Sequence, residues 1–191
     1  MWSSFAPALR IMVVMTGLTG LLYPALVTAV AQLVFPKQAH GSLLAVNGKV
    51  VGSELIGQNF ARPEYFHPRP SAAGAGYDAS ASGGSNYGPT NQKLVDRVKA
   101  SVDQYRKENP DYTGAIPADA VTASASGLDP HISPANAEIQ VVRVANARGV
   151  DPAVVRNLVE QWTERPWLGF NGEPRVNVLQ LNVSLDSRSS K

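Results

Sequence analysis

The chain has 191 residues, 44% of them apolar and 17% charged, with 16 Gly, 14 Pro and no Cys. This composition fits one average-sized folded domain with an appendage and excludes collagen-like and disordered chains. Basic residues number 17 and acidic ones 15, too thin a margin to neutralise the phosphates of a nucleic acid, so no nucleic-acid partner is expected. Without cysteine there is no disulfide framework, thiolate zinc site, thiol nucleophile or iron–sulfur ligation, although the compartment stays open.

From Ile11 to Phe35 the chain runs for 25 residues without a charge, between Arg10 and Pro36-Lys37. At a 1.5 Å rise this stretch spans about 37 Å, more than the ~30 Å hydrocarbon core of a lipid bilayer, and it predicts a tilted transmembrane helix. Its twelve Leu, Ile, Val and Phe residues favour insertion by about 5 kcal/mol, against smaller penalties from Thr, Gln, Gly and Pro. Ala29-Val30-Ala31 has the small-x-small form of a signal-peptide cleavage site. The apolar run exceeds the roughly 7 to 15 residues of a signal core and continues through Leu33, Val34 and Phe35, so a retained anchor is the expectation.

Gly17, Gly20, Pro24, Thr28 and Ala31 recur at intervals of three or four. They place small residues along one helix face, where the backbone of a membrane partner can approach; the alternative is the ordinary enrichment of Gly and Pro in such helices. Pro24 cannot donate to the carbonyl of Gly20, and a kink is expected there unless a partner or a Thr hydroxyl covers it. Arg10 on one side and Lys37 and Lys49 on the other leave the orientation undecided by the positive-inside rule.

The organisation expected is a short tail (1–10), a transmembrane helix (11–35) and one soluble α+β domain (36–191). Asn47-Gly48 between SLLAV and KVVGSELIG predicts a two-residue β-hairpin, with Leu44, Val46, Val50 and Leu55 available to a buried face. Residues 70–89 contain five Gly, five Ala and four Ser without periodicity, a long loop for which Tyr77, Asp78 and Tyr87 are the anchors. Asn91 or Thr90 caps a helix carrying Leu94, Val95, Val98, Val102 and Tyr105 on one stripe. Ser133-Pro134 and Asp151-Pro152 predict helices over about 134–147 and 152–163, the first closed by Arg148-Gly149. Asn171-Gly172 suggests a second hairpin, followed by a closing strand in which Leu179, Leu181, Val183 and Leu185 alternate with polar residues. Strands on either side of a helical middle make α+β the class.

No catalytic constellation is legible. His40, His67 and His131 lack metal-ligand spacing, and no metal site is expected. His67 reads as part of a turn in YFHPRP, and Asp129 and His131 as binding an ion, capping the following helix or shaping a turn, with capping preferred. There is no Walker motif, no dinucleotide fingerprint in strand–turn–helix context, no Gly-x-Ser-x-Gly elbow and no Ser-x-x-Lys. The helices around Arg148-Gly149 have helix-turn-helix spacing, but Arg143, Arg148 and Arg156 are offset by Glu138, Asp151 and Glu160, so a packed hairpin is preferred. Ser82, Gly83, Gly84, Ser85 and Asn86 can fold backbone amides into an anion-binding nest, or serve as a hinge or tight turn.

Several segments together resemble the C subunit of the Kdp potassium-transporting P-type ATPase, over about Thr16 to Asp186. They are TGLTGLLYPALVTAVAQLVFP (16–36), GSELIGQNF (52–60), YFHPRPSAA (65–73), ASGGSN (81–86), VTASASGLDPHISP (121–134), RVANARG and VNVLQLN. The resemblance implies an accessory, non-catalytic subunit of a four-subunit bacterial inner-membrane complex that takes up potassium. Its implied partners are a potassium-selective channel-like subunit, a P-type ATP-hydrolysing subunit, a small membrane subunit and the lipid bilayer. Consistent with this, Asp111 to Ala115 lacks the lysine and second threonine of the aspartyl-phosphate motif, and no TVGYG-like filter occurs.

The resemblance implies two competing mechanisms. In one the subunit is a catalytic chaperone that raises ATP affinity, with Ser82 to Asn86 as the nucleotide contact because the loop resembles part of the ABC-transporter signature. In the other the soluble domain is extracytoplasmic, braces the potassium-selective subunit and shapes ion entry. The second is the preferred expectation, with ATP entering only through the complex and no intrinsic cofactor. An anchored periplasmic hydrolase or binding protein unrelated to transport is the alternative.

Overall fold

The computed structural model describes residues 2–166, 169 and 171–189, and the chain divides into two compact units, Met1–Ser53 and Glu54–Lys191. The first begins with α1 (Trp2–Met15), a π-helical stretch (Thr16–Leu22) and α2 (Tyr23–Val34). Together they supply 31 residues, Ser4–Val34, long and apolar enough to cross a membrane. Arg10 therefore sits inside the helix rather than at its boundary. The wide turn immediately precedes Pro24, the residue that cannot donate: Tyr23 N–H reaches back five residues to the Leu18 carbonyl. The Thr19 hydroxyl donates to the Met15 carbonyl, so a π-helical turn occupies the place where a kink at Gly20 was expected.

After α3 (Pro36–Ala39) come β1 (Leu43–Val46) and β2 (Lys49–Ser53), antiparallel across Asn47-Gly48. Both turn residues have positive φ, +51° and +75°, as a type I′ turn requires. One expectation fails here. Across a two-residue turn Val46 pairs with Lys49 and Ala45 with Val50, so Val50 lies on the face of Ala45, opposite Leu44 and Val46. Val50 is 55% exposed, and Leu55 beyond the hairpin 62%.

The second unit is built on α6 (Pro134–Arg148) and α7 (Pro152–Gln161), whose N-caps are made by the Ser133 hydroxyl and the Asp151 carboxylate. Gly149 closes α6 in the left-handed conformation. Val141, Val144 and Ala145 of α6 pack with Val155, Leu158 and Val159 of α7 in the main core. A three-stranded antiparallel sheet of β3 (His131–Ile132), β5 (Arg175–Asn177) and β4 (Thr163–Glu164), in that order, adds Ile132 and Val176. A second cluster forms where α4 (Gln92–Glu108), capped by Asn91, sets Val98, Val102 and Tyr105 against Ala120 and Val121 of α5 (Ala118–Val121). Val95, expected on the same stripe, is 38% exposed.

The expected closing strand is instead a helix, α8 (Val178–Ser189). Its buried residues include Val178, Leu181, Asn182 and Leu185, spaced i, i+3, i+4, i+7. Alternation of apolar letters and helical spacing coincide over this short stretch; the helix is favoured by Asn177, whose side-chain oxygen accepts from Gln180 N–H as an N-cap. Nor is Asn171-Gly172 a two-residue turn: pairing of β4 with β5 stops at Glu164 and Arg175, leaving residues 165–174 as the connection. Trp167, Leu168 and Phe170 of that segment lie outside the described residues.

Candidate functional site

Residues 62–65 make a turn, in which Tyr65 N–H donates to the Arg62 carbonyl, but His67 lies beyond it rather than in the turn expected over 65–70, and side chains from three helices surround the segment 62–69. Phe66 is fully buried, which forces its backbone polar groups out of water; they must find partners or cost about 1–3 kcal/mol each. Two side-chain amides act where a neighbouring strand would. Asn182 of α8 accepts from Phe66 N–H (2.8 Å) and donates to the Phe66 carbonyl (3.0 Å). Gln140 of α6 does the same for His67, at 2.7 and 3.1 Å. Both amides are only 1% exposed.

Arginines complete the enclosure. Arg143 donates to the carbonyls of Pro63 and Tyr65 and to Gln140 Oε1, and Arg148 donates to the carbonyl of Glu64 and to Asp186. Burial pulls the Arg143 guanidinium below its ordinary pKa, with Glu108 opposing. His67 Nδ1 lies 3.0 Å from Glu108 Oε2, and Nε2 lies 3.0 Å from the Arg62 carbonyl. The His67 hydrogen bond holds the Glu108 carboxyl below its usual range. A groove of about 750 Å³ opens between the end of α4 and α6, with His67, Glu108, Tyr112 and Arg143 in its walls. A cavity of about 420 Å³ on the other side of His67 and Glu108 is bordered by Arg69, Tyr77 and Arg97.

The Ser82–Asn86 loop packs against the segment 124–129. Gly83 N–H donates to the Ser126 carbonyl (2.8 Å), as does the Ser82 hydroxyl (3.0 Å). A Cβ on Gly84 would stand 2.9 Å from the Ala125 carbonyl oxygen, and one on Gly127, at φ +67°, 2.6 Å from Gly83 O and Ala73 N. Ser82 and Asn86 stay exposed. Of the long loop's expected anchors, Tyr77 is tied down, its hydroxyl donating to the Arg69 carbonyl, whereas Tyr87 is 39% exposed.

Asp129 does not cap α6. Its carboxylate accepts from His131 N–H two residues on, an Asx-type turn, and pairs with Arg69 at 2.8 Å. Burial alone would push this carboxyl up; hydrogen bonds from His131 and Arg69 bring it down to about 2. The partner of Ser133 is Asp119, which accepts from both its N–H and its hydroxyl and from Asn136. The three histidines are not gathered, and among the described residues no group of three or more His, Cys, Asp or Glu side chains is placed to hold a metal. In the N-terminal unit, Gly17 has nothing within 4 Å of where a Cβ would stand, and Gly20 only a Thr16 methyl at 3.9 Å. Pro24 and Thr28 are exposed, Gly17 and Ala31 half-buried.

Sequence reasoning missed Gln140, Arg143, Arg148 and Asn182. The available signal was a polar residue at a core position of an amphipathic helix, Gln140 beside Val141 and Val144 above all, but the backbone partner of Gln140 lies 73 residues away along the chain and that of Asn182 116.

Fold and site define an α+β protein that follows one apolar, membrane-length helix and whose buried Gln140 and Asn182 amides are committed to its own backbone. The profile of the family described as KdpC, K+-transporting ATPase, c chain, matches residues 5–187. The chain is 60% identical over 189 residues to the potassium-transporting ATPase KdpC subunit of Caulobacter vibrioides (strain NA1000 / CB15N), covering 98% of this chain and 95% of that one. It is 57% identical to the KdpC subunit of Myxococcus xanthus (98% and 90% covered) and 57% to that of Koribacter versatilis (91% and 89%). The chain belongs to the KdpC family, and potassium is the ion the Kdp system transports. This replaces the alternative of a hydrolase or binding protein unrelated to transport.

Proposed function

We propose that the chain is an accessory, non-catalytic subunit of a high-affinity, ATP-driven potassium uptake complex in the bacterial inner membrane. Its N-terminal helix crosses the bilayer and packs, through Gly17, Gly20, Pro24, Thr28 and Ala31, on membrane helices of the potassium-selective, ATP-hydrolysing or small subunit. Its body stands outside the cytoplasm and braces the potassium-selective subunit. The observation that carries this reading is the helix itself: none of the residues from Thr16 to Val34 is buried by the chain, and the space around Gly17 and Gly20 is open. Lipid covers such a surface generally, whereas glycine on it allows a second helix close approach.

The competing proposal is nucleotide assistance: Ser82 to Asn86 contact ATP bound by the hydrolytic subunit, which requires the body to be cytoplasmic. Because the chain has no cysteine, Ser82→Cys gives a background-free label. A membrane-impermeant maleimide added to intact cells expressing the whole complex is expected to react with it. Reaction only after lysis overturns the external body and favours the nucleotide contact.

A further inference from the structure

The Met1–Ser53 unit contains Arg10, Lys37 and Lys49 and not one acidic residue, while the other 14 basic and all 15 acidic residues fall in Glu54–Lys191. This segregation coincides with an uncovered apolar face. Register places Leu43, Ala45 and Val50 together on one side of the hairpin, and Leu43 and Val50 are 53% and 55% exposed. Between Leu44 and Ala45 the register shifts by one residue, and the extra one on β2, Val51, is 39% exposed. A lone two-stranded hairpin is marginal in water, so a face like this needs a cover.

The hairpin is held close to the end of the apolar helix. Only eight residues separate Val34 from Leu43, and they are folded back on themselves: Ser42 N–H donates to the Lys37 carbonyl and Gly41 N–H to that of Gln38. The Ser53 hydroxyl, at the far end of β2, donates to the Gly41 carbonyl. The Leu43–Val50 face carries no charge, the opposite face carries Lys49 beside Val46 and Leu44, and Lys37 sits in α3 at the exit of the apolar helix. That is the pattern of an element lying in the plane of a membrane surface, attracted by anionic lipid.

We propose that the β1–β2 hairpin lies in the headgroup layer of the leaflet where the helix emerges. Its Leu43–Val50 face meets the acyl boundary, and Lys37 and Lys49 meet the phosphates of anionic phospholipids. The proposal rests on the reading that the Ser4–Val34 helix crosses the bilayer.

The test uses the full chain in nanodiscs of phosphatidylcholine, with and without phosphatidylglycerol, and nitroxides at single cysteines. Leu21→Cys reports insertion of the helix, Val50→Cys immersion of the hairpin, and Lys93→Cys on α4 the aqueous reference. With phosphatidylglycerol, the ratio of oxygen to nickel-chelate accessibility at residue 50 is expected to be several-fold above that at residue 93. Lys37→Gln/Lys49→Gln is expected to remove this excess while residue 21 stays buried in lipid. A residue 50 as open to nickel as residue 93, equal immersion without the anionic lipid, or shielding that needs the other subunits each overturns the proposal. Loss of immersion at residue 21 overturns the spanning reading itself.

Discussion

The two units of this chain handle their chemistry in opposite ways. In the body, the backbone around the buried Phe66 is matched to side chains: the carbonyls of residues 63–67 to Arg143, Arg148, Asn182 and Gln140, and the Phe66 and His67 amides to Asn182 and Gln140. In the N-terminal unit the apolar surface is presented outward, with Leu21 72% and Leu33 83% exposed. A buried polar group that has found its partner stabilises the fold; an apolar surface left open is stabilised only by something outside the chain. Substitutions in the body are therefore read as loss of stability and substitutions in the helix as loss of association.

The sharpest way to break the body is Arg143→Ala, which strips donors from Pro63, Tyr65 and Gln140 at once. It is expected to cost about 3 kcal/mol or more in denaturant unfolding of the full chain in detergent. Arg143→Lys is expected to recover only part of this, since an ammonium cannot reproduce the planar fork. Next comes a pair of glycines with nearly the same φ, +67° at Gly127 and +65° at Gly149. Gly127→Ala drives a Cβ into the Gly83 carbonyl and the Ala73 amide and is expected to cost about 2 kcal/mol or more; Gly149→Ala meets nothing within 4 Å and is expected to cost about 1 kcal/mol. Equal losses would mean that the 82–86 loop does not pack tightly on residues 124–129.

Acid titration gives a smaller effect with a definite sign. The Asp129 carboxyl is held at about 2, below its ordinary value of 3.8. Its contribution to stability is therefore complete above the ordinary value and is lost as pH falls toward 2, and Glu108, also depressed, adds in the same direction. Thermal unfolding midpoints between pH 5 and pH 2.5 (about the range that linkage selects) are expected to fall less steeply for Asp129→Asn than for the unsubstituted chain.

Features determined within a few residues are legible in the sequence. The Ser133, Asp151 and Asn91 caps, the Asn47-Gly48 turn, the Gly149 stop and the apolar helix all depend on neighbours along the chain. What is illegible depends on distant contacts. Asn182 looks like one of the outward polar residues of an alternating strand until Phe66 arrives to use both ends of its amide; then it is a buried position of a helix. Asp129 looks like a cap until Arg69, 60 residues earlier, is seen to pair with it. The enclosure of 62–69 by α4, α6 and α8 is illegible for the same reason.

The contrast between the units is tested most directly by Gly17→Leu/Gly20→Leu in the complete complex. A Cβ at Gly17 meets nothing within 4 Å and one at Gly20 only the Thr16 methyl at 3.9 Å, so the unfolding free energy of the isolated full chain is expected to stay within about 0.5 kcal/mol of the original. Recovery of the other Kdp subunits on an affinity-tagged variant is expected to drop severalfold. Full recovery with unchanged stability would contradict the claim that this helix face is where the chain joins its partners.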